Sequence, residues 1–281
     1  GMHSCSRPSC KRQIQEQVLR FDFEQILRVH GHGQVHRFAA HFLQHVAGVV
    51  KVQDKQTQHA TLAIFISVSF SIAQNPLIQL NSGQLVPQLG LGVYKVGQDI
   101  AVDLVQLAID LGYRRIDTAA LYDNEQEVGA GIRASSVERE EVFVTTKIWN
   151  DRHGYDNALE AIDESLARLN IGYVDMLLIH WPNPKLGKFV ETWKALEHAL
   201  ESGKVRGIGV SNFHPEHLEP LLEQATVVPA INQVELHPGL NQAEVRAFNA
   251  NHGIATEAWS PLARGQKNDA VAIVEAAKVH G

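Results

Sequence analysis

Cysteine is nearly missing from this chain: the 281 residues hold two, Cys5 and Cys10, and none follows them. That excludes a disulfide framework or a cysteine-ligated metal site over residues 11–281, and it suits a reducing, cytoplasmic setting. Positive charge is also short. With 25 Lys and Arg against 31 Asp and Glu, the net charge is −6, so there is no basic footprint for nucleic acid. The apolar run Thr61–Ala73 is 13 residues long, too short to cross a bilayer comfortably. Ser71 and Ala73 give it the cast of a signal peptide, but it lies far from the start of the chain. The histidines His30, His32, His36, His41 and His45 lack an accompanying carboxylate of the right kind or a cysteine, so no metal is expected there. The glycines from Gly203 to Gly209 precede a strand-like run, whereas a dinucleotide fingerprint follows one.

What the chain does have is 44% hydrophobic residues, enough for one large α/β domain. Strand-like and helix-like runs alternate. Ile100–Leu111 carries Val102, Leu104, Val105 and Ala108 at helical spacing before Gly112, and Asp156–Leu169 places Ala158, Leu159, Ile162, Leu166 and Leu169 on one face. Phe189–Glu201 repeats the pattern with Val190, Trp193, Leu196 and Leu200, and Asp269–His280 reads as a further helix. Strands are expected at Gly207–Val210, Ile231–Val234 and Ile254–Ala258. Such alternation calls for a parallel sheet. Ahead of it, Ile78–Leu80 and Leu85–Gln88 flank Asn81-Ser82-Gly83, a hairpin signal.

Three strand-like runs end abruptly in polar residues: Arg114-Arg115-Ile116-Asp117, Val142–Lys147 and Asp175–His180. Strands that feed a catalytic face end in this way. With Tyr122, the terminal residues Asp117, Lys147 and His180 suit proton donation. Tyrosine, with a reference pKa of about 10, is a weak acid at neutral pH. An ammonium at about 4 Å favours phenolate by about 4 kcal/mol at an effective dielectric near 20, which predicts titration of Tyr122 near 7. Asp117 is expected to hold Lys147 charged and in place, and His180 to orient a carbonyl oxygen. The chemistry indicated is carbonyl reduction.

The same residues carry a resemblance. Gly90-Leu91-Gly92-Val93-Tyr94, Asp117-Thr118-Ala119 with Tyr122 and Asn124-Glu125, Thr146-Lys147-Ile148-Trp149 and Ile179-His180-Trp181-Pro182 occur in order. Gly207–Phe213, Asn232-Gln233-Val234-Glu235 and Trp259-Ser260-Pro261-Leu262 continue the series. From about residue 76 onward the chain resembles the aldo-keto reductases, nearest in look to bacterial members of the 2,5-diketo-D-gluconate reductase type. The resemblance implies a TIM (β/α)8 barrel whose floor is closed by the N-terminal hairpin. It implies a monomer that reduces a small aldehyde or ketone with NADPH, NADH not being excluded, and with Tyr122 as proton donor. By the same analogy Ser211, Asn212 and Gln233 hydrogen-bond the nicotinamide carboxamide, Trp259 stacks under the ring, and Ser260 and Leu262 meet pyrophosphate. Tyr94, Trp149 and Trp181, each just past a strand end, are expected as substrate-pocket walls.

Two parts of the chain depart from that pattern. Only seven strands are evident, ending near Tyr94, Asp117, Lys147, His180, Asn212, Gln233 and Ala258, where the barrel needs eight. An open barrel is expected to expose a strand edge and to be poorly stable over residues 76–281. Residues 1–75 form an extension unlike the family, expected to be disordered or to come from a mistaken upstream start, with helix-like spacing at Lys11–Arg28 and Phe38–Val50. The alternative reading is a catalytically inactive truncated barrel, or one kept for nucleotide sensing or assembly; the intact tetrad argues against it.

Overall fold

A computed structural model describes residues 75–265 and 270–280. The expected helices at Lys11–Arg28 and Phe38–Val50, and the apolar run Thr61–Ala73, lie outside the described residues. Pro76–Lys267 forms one compact unit.

The unit opens with the hairpin, β1 (Leu77–Gln79) pairing antiparallel with β2 (Leu85–Pro87). Its turn needs Gly83, whose φ of 84° lies in the left-handed region that L side chains avoid. Leu80 and Val86 pack with Phe143, Met176, Leu178, Ala230 and Ile231 in a small cluster. The hairpin therefore plugs the end of the sheet from which the strands begin.

The strands and helices then alternate. They run β3 (Leu91–Gly92), α1 (Gln98–Asp110), β4 (Arg115–Asp117), α2 (Glu125–Ala134), β5 (Phe143–Ile148) and α3 (Tyr155–Leu169). The second part is β6 (Met176–Ile179), α4 (Phe189–Glu201), β7 (Ile208–Ser211), α5 (Pro215–Leu222), β8 (Ile231–Glu235), α6 (Ala243–Asn251) and β9 (Ala255–Trp259). Strands β3 to β9 form one parallel sheet in sequence order, seven strands among the described residues, curling into a near-closed barrel with its helices outside. A main cluster between sheet and helices is built from residues such as Ile116, Val144, Ile162, Ile179, Trp193 and Val210. Helix α7 (Val271–His280) follows in the sequence and is not part of this unit. No helix among the described residues is long and apolar enough to cross a membrane.

The expected helices at 100–111, 156–169 and 189–201 form within two residues of those bounds. Helix α2 has a composition that hides it, since EQEVGAGIRA carries two glycines, each a poor helix former by about 1 kcal/mol. Packing explains them. A Cβ at Gly129 would lie 1.8 Å from the Leu169 carbonyl oxygen of α3, and one at Gly131 2.7 Å from the Val102 oxygen of α1. The glycines let α2 sit backbone-close to both neighbours, and that closeness sets the loop before α2 against the barrel rim.

Candidate active site

Because side chains alternate along a strand, Arg115 and Asp117 of β4 share one face while Ile116 packs in the core outside the sheet. After β4 the chain makes a 3-10 turn, Ala120–Tyr122, which ends at Asp123 in the left-handed region with φ 53°. Asn124 fastens this turn. Its Nδ2 donates to the carbonyls of Val93 at 3.0 Å and Val96 at 3.1 Å, and its Oδ1 accepts from Thr118 Oγ1 at 2.9 Å. Glu125, buried at the start of α2, accepts from Thr146 Oγ1 and from Arg168. The segment carrying Tyr122 is thus pinned at both ends.

Lys147 projects from β5 with a fully buried side chain. An ammonium has three N–H donors, and each has an acceptor: Asp117 Oδ1 at 2.5 Å, the Thr118 carbonyl at 2.9 Å and Tyr122 Oη at 3.3 Å. Burial alone pushes the Lys147 ammonium down, but Asp117 and Tyr122 outweigh it and hold it above the ordinary lysine value. His180, just past β6, completes the group. Its ring centroid lies 5.7 Å from that of Tyr122 and 5.0 Å from that of Trp149, both edge-on. Burial, helped by the Lys147 charge, pushes His180 down to about 3, so it is neutral at pH 7. Its Nδ1 is buried without a hydrogen bond among the described residues. The four residues singled out in the sequence therefore meet at the C-terminal ends of β4, β5 and β6.

One expectation about them is corrected. Tyr122 does not titrate near 7; its pKa is raised above the ordinary 10. Burial is the largest cause and disfavours phenolate, while the pull of Lys147 is offset by the carboxylate of Asp117 beside it. A pairwise estimate that counts the cation and omits both its counter-ion and the burial overstates the acidity.

The residues expected to meet a cofactor cluster on and just past β7, β8 and β9, and several are bonded to one another. Ser211 Oγ donates to the Gln233 carbonyl at 2.7 Å. Asn212 Nδ2 donates to the His180 carbonyl at 2.9 Å and to Ser211 Oγ at 3.0 Å, and its Oδ1 accepts from Trp259 Nε1 at 2.9 Å. Gln233 Nε2 donates to Asp117 Oδ2 at 2.8 Å and to Glu257 Oε1 at 2.9 Å. Ser260 and Leu262 follow β9 in a tight turn, with Ser260 at φ 49°. Of the expected pocket walls, Tyr94 lies with its ring 4.9 Å from that of Tyr122 and Trp149 against His180, while Tyr94 and Trp181 are both exposed.

The pairing of Arg115 with Glu257 was missed. These two form an ion pair inside the barrel, with side chains 6% and 17% exposed. A signal existed: Arg115 stands two positions before Asp117 and Glu257 two before Trp259, each a charge in a strand on the face of a functional residue.

Comparisons with known proteins identify the family. Residues 88–272 match the Aldo/keto reductase family. Glyoxal reductase of Bacillus subtilis is 48% identical over 204 residues, 72% of this chain and 73% of the relative. The 2,5-diketo-D-gluconic acid reductase B of a Corynebacterium species is 50% identical over 189 residues, 67% of this chain and 68% of that protein. The crystal structure of a Gox0644 mutant in complex with NADPH superposes with a TM-score of 0.70 at 44% identity, covering 73% of this chain and 74% of that one. A shared architecture alone does not produce identity at this level over two thirds and more of a chain, and this chain belongs to the aldo/keto reductase family of oxidoreductases.

Proposed function

We propose that the protein reduces a small aldehyde or ketone to the alcohol at the expense of NADPH, with Tyr122 as the proton donor. The observation that carries this reading is the three-way saturation of the Lys147 ammonium by Asp117, Thr118 and Tyr122. A glyoxal reductase among the relatives and the NADPH complex of Gox0644 support the substrate class and the cofactor.

The residues present fit a nicotinamide. Ser211, Asn212 and Gln233 offer hydroxyl and carboxamide groups of the kind that pair with a carboxamide, and the half-buried Trp259 offers an aromatic face beside them. Reduced nicotinamide supplies the hydride when bound. The chain's own residues do the rest. His180, neutral, donates from one ring nitrogen to the carbonyl oxygen and orients it. As negative charge builds on that oxygen, the Tyr122 hydroxyl gives up its proton to it. The resulting tyrosinate rests against the Lys147 ammonium, which Asp117 keeps in place. A raised tyrosine pKa suits this direction: the donor is fully protonated at neutral pH, and an alkoxide is a far stronger base than a tyrosinate. Tyr94, beside Tyr122, and Trp149, beside His180, flank the reacting carbonyl.

Tyr122→Phe tests the reading. It should lower kcat by at least the roughly 10²-fold typical of a general acid while leaving NADPH affinity within about twofold. The parent's reduction rate should show no acid–base break between about pH 7 and 9 and should decline only above the ordinary tyrosine value of about 10. A variant within threefold of the parent's kcat would sink the assignment, whereas a break near pH 7 that vanishes in the variant would keep Tyr122 as the donor and overturn its raised pKa.

A further inference from the structure

The tetrad sits at one end of a longer polar chain through the barrel interior. Asp117 spends one oxygen on Lys147 and the other on Gln233 Nε2. Gln233 Nε2 spends its second hydrogen on Glu257 Oε1, and the other Glu257 oxygen takes Arg115. Gln233 and Glu257 stand side by side in the register of β8 and β9, whereas β4 lies on the far side of the seven-strand order. The chain therefore crosses the interior and links the last strand to the strand of Asp117. Its charges balance, with two cations and two carboxylates, and Gln233 is the neutral link.

The consequence concerns which end of the Gln233 amide faces outward. Its nitrogen lies 2.8 and 2.9 Å from two carboxylate oxygens. Turned round, the amide would set its oxygen against both, with no hydrogen between them and two acceptor–acceptor contacts in a buried layer. One carboxylate alone would bias the amide; two, aligned from opposite strands, leave it a single orientation. No hydrogen bond among the described residues reaches Gln233 Oε1. The side chain thus presents an acceptor, and an acceptor selects a ligand group that brings N–H.

We propose that Glu257, braced by Arg115, is a positioning residue that locks the Gln233 amide with its oxygen outward and so makes the site selective for a pyridine ring bearing a carboxamide. The proposal rests on the reading that a nicotinamide binds here. Glu257 touches neither ligand nor reacting atoms; it acts through Gln233. Arg115 keeps the Glu257 carboxylate from turning away, and the Phe143 ring, 5.6 Å from the guanidinium carbon, supports Arg115 from below.

The test compares two cofactors on the full chain: NADPH, and its 3-acetylpyridine analogue, in which a methyl replaces the amide NH2. The parent should bind NADPH roughly fivefold or more tighter, the worth of one oriented hydrogen bond. Glu257→Leu, which leaves Asp117 Oδ2 as the single anchor of the Gln233 amide, should bring that ratio down at least twofold toward unity. Glu257→Gln, whose own oxygen still accepts from Gln233 Nε2, should restore most of it. If the leucine variant does not fold, Glu257→Thr, too short to reach Gln233, should give the same fall. A purely structural role for Glu257 would weaken both cofactors alike and leave the ratio at the parent value, and that result overturns the proposal. A parent that shows no preference between the two also overturns it. A parent that binds neither overturns the nicotinamide reading itself, which is a different failure from an unmoved ratio.

Discussion

Replacing Asp117 by asparagine removes the counter-charge of a lysine with no exposure to water and changes almost no volume. In the parent, Asp117 Oδ1 holds Lys147 Nζ at 2.5 Å and Oδ2 accepts from Gln233 at 2.8 Å. Asparagine can keep only one of these contacts, because its Nδ2 must face either Lys147 or Gln233, both donors. Removing one partner of a buried pair costs about 3–5 kcal/mol, because the other charge stays buried and uncompensated. Against a usual net stability of about 5–15 kcal/mol that is a large share. The sign of the pH dependence should also change. In the parent the Lys147 pKa is raised, so its contribution is fully present below the unfolded lysine value of about 10.4 and is lost as pH rises through the folded one. In the variant, burial, which lowers the value, loses its largest opponent. The folded pKa drops below 10.4, the unfolded state binds more protons, and stability rises with pH over that window. Guanidinium unfolding of parent and variant, followed by tryptophan emission at pH 7, 8, 9 and 10, should show a deficit of about 3–5 kcal/mol at pH 7 that shrinks toward pH 10. A deficit under about 1 kcal/mol, or one that does not change with pH, would refute the reasoning about the buried ammonium.

If Trp259 lies under the nicotinamide, reduced cofactor should quench its emission, and Trp259→Ala should remove most of that quench; an undiminished quench in the variant would place the ring elsewhere. Gly129→Ala should invert the usual helix rule, which credits alanine with about 1 kcal/mol over glycine: the added Cβ would stand 1.8 Å from the Leu169 oxygen, so a loss of about 1–3 kcal/mol or more is expected. A stabilised variant in thermal unfolding would show that α2 and α3 can part at no cost.

The residue pattern by itself determined the order of the strands, helices α1, α3 and α4, the hairpin and the membership of the tetrad. Period and punctuation are local properties. Val142–Lys147 reads as a buried strand with a polar end wherever it sits, and Asp156–Leu169 buries the face its spacing defines. Tertiary structure alone decided what the polar residues do to one another. The acidity of Tyr122 depends on Asp117 neutralising the same ammonium that pulls on the phenol, and on the burial of the ring, neither of which spacing records. Helix α2 was hidden because its glycines are explained by Leu169 and Val102, dozens of residues away. Arg115 and Glu257 are 142 residues apart in the chain; each alone looks like a charge misplaced in a strand, and only the curl of the sheet, which brings opposite strands within hydrogen-bond reach, makes them a pair.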